Sequence, residues 1–195
     1  MANKTPLPTE EEVQFYRKHG YFLYKKQVFS PERLNALKSI ADEHFANRGN
    51  KRGDELDTPH FHDPRLLDFL LSDEVLDLVE PIIGPNIALW SSAFLIKEPF
   101  VGRPTPWHED SAYWNGRMED YDIVTVWLAL GPSTKENGCM RVIPGTHVNG
   151  FSEYEEIDGT KHTFGSQIKH VDDSQAVYFE LEAGECSLHD ARIIH

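Results

Sequence analysis

The run Ile123-Val124-Thr125-Val126-Trp127-Leu128-Ala129-Leu130 decides how the carboxy-terminal half of this chain is read. On a strand, alternate side chains share a face. One alternation is wholly apolar (Val124, Val126, Leu128, Leu130), while the other carries Thr125 and Trp127. The first face is expected to meet helices and the second to line a cavity. Working outward, Ile87 to Ile96, Cys139 to Ile143, Ala176 to Glu180 and Glu185 to His195 have the same short, β-prone texture, broken by turns.

Upstream the periodicity is helical. Thr9 and Glu12 have capping-box spacing, Val13 and Tyr16 begin an apolar stripe, and Gly20 stands where a left-handed cap ends a helix. A short strand, Tyr21 to Tyr24, follows. Ser30-Pro31 supplies a cap and a first-turn proline for a second helix, whose Leu34, Leu37, Ile40, Ala41 and His44 recur at helical spacing as far as about Asn47. Asn47 to Pro59 reads as a loop. Asp63-Pro64 and Ser72-Asp73-Glu74 start two short helices that close near Gly84-Pro85. Helices followed by strands make an α+β class, with the helices packed outside a sheet or barrel. No repeat or linker divides the chain, so residues 1–195 are expected to form one domain: a helical layer over about 9–84 and a barrel over about 86–195.

Composition narrows the function. The chain has 19 Lys+Arg against 32 Asp+Glu, a formal charge of −13, and 39% hydrophobic residues including 4 Trp, 7 Tyr and 11 Phe. Such a charge repels phosphate backbones and anionic headgroups, which argues against nucleic-acid and membrane partners. The amino terminus is polar and no window reaches the roughly 18 apolar residues of a membrane span, so a soluble, cytoplasmic protein is expected. Cys139 and Cys186 are too few for a disulfide scaffold and read as two ordinary thiols. There is no Gly-x-Ser-x-Gly elbow, no phosphate-binding Gly-x4-Gly-Lys-Ser/Thr loop and no dinucleotide fingerprint.

The densest polar cluster is Trp107-His108-Glu109-Asp110-Ser111-Ala112-Tyr113-Trp114. If this segment is extended, His108 and Asp110 project to one side and Glu109 to the other. Two histidines and one carboxylate on one face, with the remaining positions open, form the metal site of non-haem Fe(II) oxygenases. A third ligand must then come from a distant strand, and His147, His162, His170, His189 and His195 are the candidates. His60-Phe61-His62 also has same-face spacing, but it lies in a loop and reads as a surface or substrate-lid pair.

Further motifs follow in order: Val126-Trp127-Leu128-Ala129-Leu130, Glu136-Asn137-Gly138-Cys139-Met140, Val142-Ile143-Pro144-Gly145-Thr146-His147, Ala183-Gly184-Glu185, Leu188-His189 and Ile193-Ile194-His195. Together with Pro106 to Asp110, this series resembles the phytanoyl-CoA dioxygenase-like family of Fe(II)/2-oxoglutarate-dependent oxygenases, over about residues 10 to 195. The resemblance implies a double-stranded β-helix, a jelly-roll or cupin-like barrel, with the amino-terminal helices outside. It makes His108, Asp110 and His195 the iron ligands and His189 a neighbour of the site. It places Lys97, Thr125 and Trp127 towards 2-oxoglutarate, and Phe100, Tyr113 and Trp114 on the substrate side. His147 reads as a turn-stabilising histidine. The implied reaction consumes O2 and converts 2-oxoglutarate to succinate and CO2 while a small-molecule substrate is hydroxylated. Related halogenases have a small residue where Asp110 stands, so aspartate implies oxygenation.

The family pattern continues past the distal histidine to an arginine, roughly ten residues on, that pairs with the far carboxylate of 2-oxoglutarate. The sequence ends at His195, and a barrel truncated by one strand is therefore expected. Two other readings use the same residues: a non-catalytic, cupin-like metal- or small-molecule-binding protein, and a zinc-dependent hydrolase.

Overall fold

The computed structural model describes residues 6–114 and 122–195; the polar start of the chain, residues 1–5, lies outside the described residues. Helix α1 spans Glu10–His19. Thr9 caps it as expected: its Oγ1 accepts from Glu12 N at 3.2 Å, and its own N donates to Glu12 Oε2 at 2.7 Å. Glu10, Glu11 and Glu12 occupy the first turn and Arg17, Lys18 and His19 the last, both favourable to the helix dipole. Gly20 ends the helix at φ 79° and donates its N–H to Tyr16 O at 2.7 Å.

Strand β1 (Tyr21–Tyr24) leads to α2 (Pro31–Ala46), which is capped by Ser30 and buries Leu34, Leu37, Ile40 and Ala41. The stretch read as a loop contains a two-residue strand, β2 (Leu56–Asp57), paired with β3 (Ala93–Phe94). Between them lie 3-10 turns, α3 (Leu67–Leu70) and α4 (Asp73–Ile83), the last closing at Gly84. The expected strand from Ile87 to Ile96 thus contracts to two residues.

The remaining strands are β4 (Val124–Leu128), β5 (Arg141–Val142), β6 (Tyr154–Glu156), β7 (Ser166–Ile168), β8 (Val177–Tyr178) and β9 (Cys186–Asp190). All pairings are antiparallel, in the order β1-β9-β4, β2-β3, β5-β8 and β6-β7. Among the described residues these four small sheets do not close into a regular barrel. Irregular segments continue the ladders between them. His108 and His195 exchange two backbone hydrogen bonds of 2.9 Å, Ile143 N donates to Ile194 O at 2.9 Å, and Ile168 N donates to Trp107 O at 2.9 Å.

The central sheet separates two apolar clusters. In register, Thr125 stands opposite His189, which stands opposite Tyr21, while Trp127, Ser187 and Leu23 form the next row. The intervening residues enter the larger core: Tyr24, Cys186 and Leu188 are buried there with α2 side chains, and Phe22, Val124, Val126, Leu128 and Leu130 pack against it. The apolar alternation of the 123–130 run therefore meets helix residues, as read. On the other face lies a smaller cluster of Tyr21, Val142, Phe179 and Ile193.

The Pro144-Gly145-Thr146-His147 motif joins α1 to this second cluster. Gly145 N donates to His19 O at 2.8 Å, His147 Nε2 lies 3.1 Å from Arg17 O, and Thr146 Oγ1 accepts from Ile194 N at 2.9 Å. A Cβ on Gly20 would lie 2.6 Å from Nδ1 and 2.8 Å from Cγ of the buried His147 ring. Gly20→Ala combines that clash with a left-handed backbone. It should cost about 2–3 kcal/mol, seen as a lower denaturant midpoint at unchanged slope; a cost near zero would mean that α1 does not dock on this motif.

Candidate metal centre

His108 reaches its place because the 107–109 segment is held from both sides. Its backbone pairs with that of His195, and Trp107 is braced on the neighbouring surface. The Arg141 guanidinium lies 4.3 Å from the Trp107 ring centroid, and Asp173 accepts from both Trp107 Nε1 (2.7 Å) and Arg141 Nη1 (2.9 Å). The segment is not extended throughout. Asp110 opens a 3-10 helix, Asp110–Trp114, because Ser111 N donates to Ala191 O at 2.8 Å and Ala112 N folds back to Glu109 O at 3.2 Å. Even so, His108 and Asp110 converge and Glu109 points away. The Glu109 side chain is buried against Ser152, whose N and Oγ both donate to Oε1, and burial pushes its carboxyl above the usual range.

Asp110 Oδ1 lies 3.7 Å from His108 Nε2 and 3.9 Å from His195 Nε2, and one ligand atom from each residue falls within 4.8 Å of the others. Each ring is oriented by its other nitrogen: His108 Nδ1 lies 3.0 Å from Pro106 O, and His195 Nδ1 lies 3.0 Å from Ile193 O. An Nδ1–H donated to a carbonyl fixes the tautomer that leaves the Nε2 lone pair free, the usual support for a metal-ligating histidine. Burial, with His195 beside it, holds His108 well below the ordinary imidazole range, so it is neutral and able to ligate. Ligands bonded at about 2.1 Å to a first-row divalent ion lie about 3.0–3.4 Å apart. The three donors, all within 4.8 Å of one another, would draw together on sharing one ion. Two imidazoles and one carboxylate, converging from separated segments, match the donor set of mononuclear non-haem iron sites.

Some of the other expected residues touch this cluster and others make contacts elsewhere. Thr125 Oγ1 lies 3.4 Å from Asp110 Oδ2, and Trp127 shares its sheet face. His189 Nε2 is 4.0 Å from Asp110 Oδ2, and burial pushes its imidazole down to about 3. The Tyr113 ring lies 6.4 Å from that of His108, whereas Trp114 packs edge-on against Trp90 at 5.8 Å. Phe100 is fully exposed at φ 65°. Lys97 is exposed and donates to Gly138 O at 3.1 Å. Two neighbours escaped the sequence reading. Phe164 stacks edge-on against His108 at 4.8 Å, and the Tyr154 hydroxyl accepts from Glu109 N at 2.9 Å. Both come from the β6-β7 ribbon, whose polar strands lack an apolar alternation.

Comparison with known proteins agrees with this class of site. The family model for phytanoyl-CoA dioxygenase (PhyH) matches residues 16–195, and the chain belongs to that family. A probable phytanoyl-CoA dioxygenase of Caenorhabditis elegans is 28% identical over 217 residues, covering 95% of this chain and 68% of the relative. The human peroxisomal phytanoyl-CoA dioxygenase is 30% identical over 139 residues, covering 68% of this chain, so the match spans only 41% of the human protein. The crystal structure of EvdO2 from Micromonospora carbonacea var. aurantiaca, complexed with 2-oxoglutarate, is 24% identical. It superposes with a TM-score of 0.74 over 97% of this chain and 84% of its own, a likeness of fold. No helix among the described residues is long and apolar enough to cross a membrane.

Proposed function

We propose that this protein is an Fe(II)/2-oxoglutarate-dependent dioxygenase that hydroxylates a small-molecule substrate. In this reading residues 1–195 form one oxygenase domain built on a jelly roll with the amino-terminal helices outside. The observation that carries it is the convergence of His108 Nε2 and His195 Nε2 on Asp110 Oδ1, at 3.7 and 3.9 Å, with both Nδ1 atoms committed to backbone carbonyls. His108, Asp110 and His195 would hold the iron. When bound, iron supplies the coupled decarboxylation of 2-oxoglutarate to succinate and CO2 and the O2-dependent oxidation of the substrate.

The chain's own residues set the conditions for that chemistry. Two of the three donors are imidazoles, which leaves one protein carboxylate to offset the charge of the ion, so a dianionic cosubstrate is not repelled by further acids. Glu109, which would add such a charge, is turned away and held by Ser152. Thr125 and Trp127 present the face on which 2-oxoglutarate would lie, with Lys97 as its cationic neighbour. Phe164 and Tyr113 wall His108 on one side, and Tyr113, Trp114 and Phe100 would meet the substrate. The protein incubated with ferrous iron, ascorbate and 2-oxoglutarate should release succinate at a slow uncoupled rate that depends on all three of iron, O2 and protein. Equal succinate release with zinc in place of iron, or none with iron, would contradict an oxygenase.

A further inference from the structure

The three metal-ligand candidates are nearly closed off. The side chains of His108, Asp110 and His195 are 7, 26 and 8% exposed, so an ion, and the larger molecules that must follow it, reach them only if something moves aside. The central sheet is a poor choice for that movement, because β9 lies in its middle and is buried along its whole length. The 3-10 turn after Asp110 is pinned by Ser111 N, which donates to Ala191 O at 2.8 Å. The β6-β7 ribbon is held differently. Its strands pair with each other over three residues, and of those six residues only Ile168 is buried. A lone two-stranded ribbon is marginally stable, so its place depends on what it is tied to.

The ties run to the stretch from Arg103 to Tyr113, which carries His108 and Asp110. Phe164 stacks edge-on against His108 at 4.8 Å and lies 5.7 Å from the Tyr113 ring. Thr163 N donates to Pro104 O at 3.2 Å, Ile168 N to Trp107 O at 2.9 Å, and Glu109 N to the Tyr154 hydroxyl at 2.9 Å. The charged tie is the Glu109 carboxylate, whose Oε1 accepts from both N and Oγ of Ser152, just ahead of β6. Its Oε2 is buried without a hydrogen-bond partner among the described residues. Such a carboxylate pulls both ways: two donors on one oxygen hold the ribbon down, while the bare oxygen would gain water on release. That is the balance of a reversible latch.

We propose that the β6-β7 ribbon is the movable cover of the metal centre and that Glu109 is the positioning residue that latches it shut. The residue between two ligand candidates thereby joins their segment to its cover. The proposal rests on reading His108, Asp110 and His195 as a metal centre and adds a gate to it.

The test uses Glu109→Ala, Glu109→Gln and Ser152→Ala. Fe(II) uptake and release are timed anaerobically by stopped flow, uptake from tryptophan fluorescence and release by transfer to ferrozine. Hydrogen exchange of the metal-free protein reports on the ribbon without any ion. Because the latch lies outside the ligand set, its loss raises the open fraction of free and loaded protein alike, so both rates rise by the same factor and the Kd holds. Loss of hydrogen bonds to a charged group predicts a rise of about tenfold or more for Glu109→Ala and about threefold for Ser152→Ala, which keeps the backbone donor. Glu109→Gln, which keeps an acceptor oxygen, should stay within about threefold of the parent. Residues 152–168 should exchange faster in Glu109→Ala, with β1, β4 and β9 unchanged. Faster release alone, with affinity falling in step, would make Glu109 a support of the ligands and overturns the latch. Unchanged rates in both Glu109→Ala and Ser152→Ala, with Fe(II) bound normally, also overturn it and leave the metal centre standing. No Fe(II) binding by the unaltered protein overturns the metal-centre reading itself.

Discussion

Asp110→Ala is expected to weaken Fe(II) binding by more than about 100-fold and to stop iron-dependent succinate release. Supporting residues around a metal ligand already cost 10- to 100-fold when replaced, and a direct carboxylate ligand should cost more. The side chain is 26% exposed and its one hydrogen bond among the described residues is the 3.4 Å contact from Thr125, so little packing is lost. The metal-free variant should therefore melt within about 3 °C of the parent. Isothermal titration with ferrous iron under nitrogen, beside a thermal melt, separates the two effects. Full succinate release by Asp110→Ala would mean that the converged triad does not bind the working metal.

Phe179→Ala should be the most damaging substitution for stability. The ring is completely buried, lies 5.0 Å from that of Tyr21, and packs with Val142 and Ile193 in the smaller core. Truncating a buried phenylalanine typically costs about 3–5 kcal/mol, a large share of the 5–15 kcal/mol that keeps a domain folded. The consequence reaches the site through Ile193, whose carbonyl orients His195 Nδ1. A loosened Ile193 should also weaken iron binding, by less than the loss of a ligand. Phe179→Leu keeps most of the volume and should lose well under half as much stability. Urea unfolding of the two metal-free variants checks the ranking; a loss below 1 kcal/mol for Phe179→Ala would mean that this cluster is not a core.

What the sequence made legible was local. The Thr9 capping box, the Ser30-Pro31 start and the Gly20 stop each act within one helical turn, and α1, β1 and α2 fall where those signals put them. The alternation of Val124, Val126, Leu128 and Leu130 correctly named the face that meets the larger core. Strand lengths were not legible. β3, β5 and β8 pair over two residues each, because irregular backbone contacts such as His108 with His195 take over from regular ladders.

The β6-β7 ribbon was invisible for a different reason. Its strands are stabilised by polar cross-strand contacts, including Gln167 to Glu155 at 2.7 Å and Lys169 to Glu153 at 3.4 Å, rather than by a buried stripe. At the site, spacing alone paired His108 with Asp110 but left five histidines open for the third position. Family resemblance selected His195, and the structure brings it beside the pair. That His189 and Ser187 are both buried depends on the register of β9 with β1 and β4, which no local pattern encodes.

The central claim is that His108, Asp110 and His195 hold a ferrous ion with room for a chelating 2-oxo acid. Its most direct measurement is an anaerobic titration of the protein with Fe(II) and then 2-oxoglutarate, followed in the visible spectrum. A chelated ferrous centre requires a metal-to-ligand charge-transfer band that saturates at one iron and one 2-oxoglutarate per chain and is absent with succinate. A protein that binds both components but develops no such band would contradict the claim.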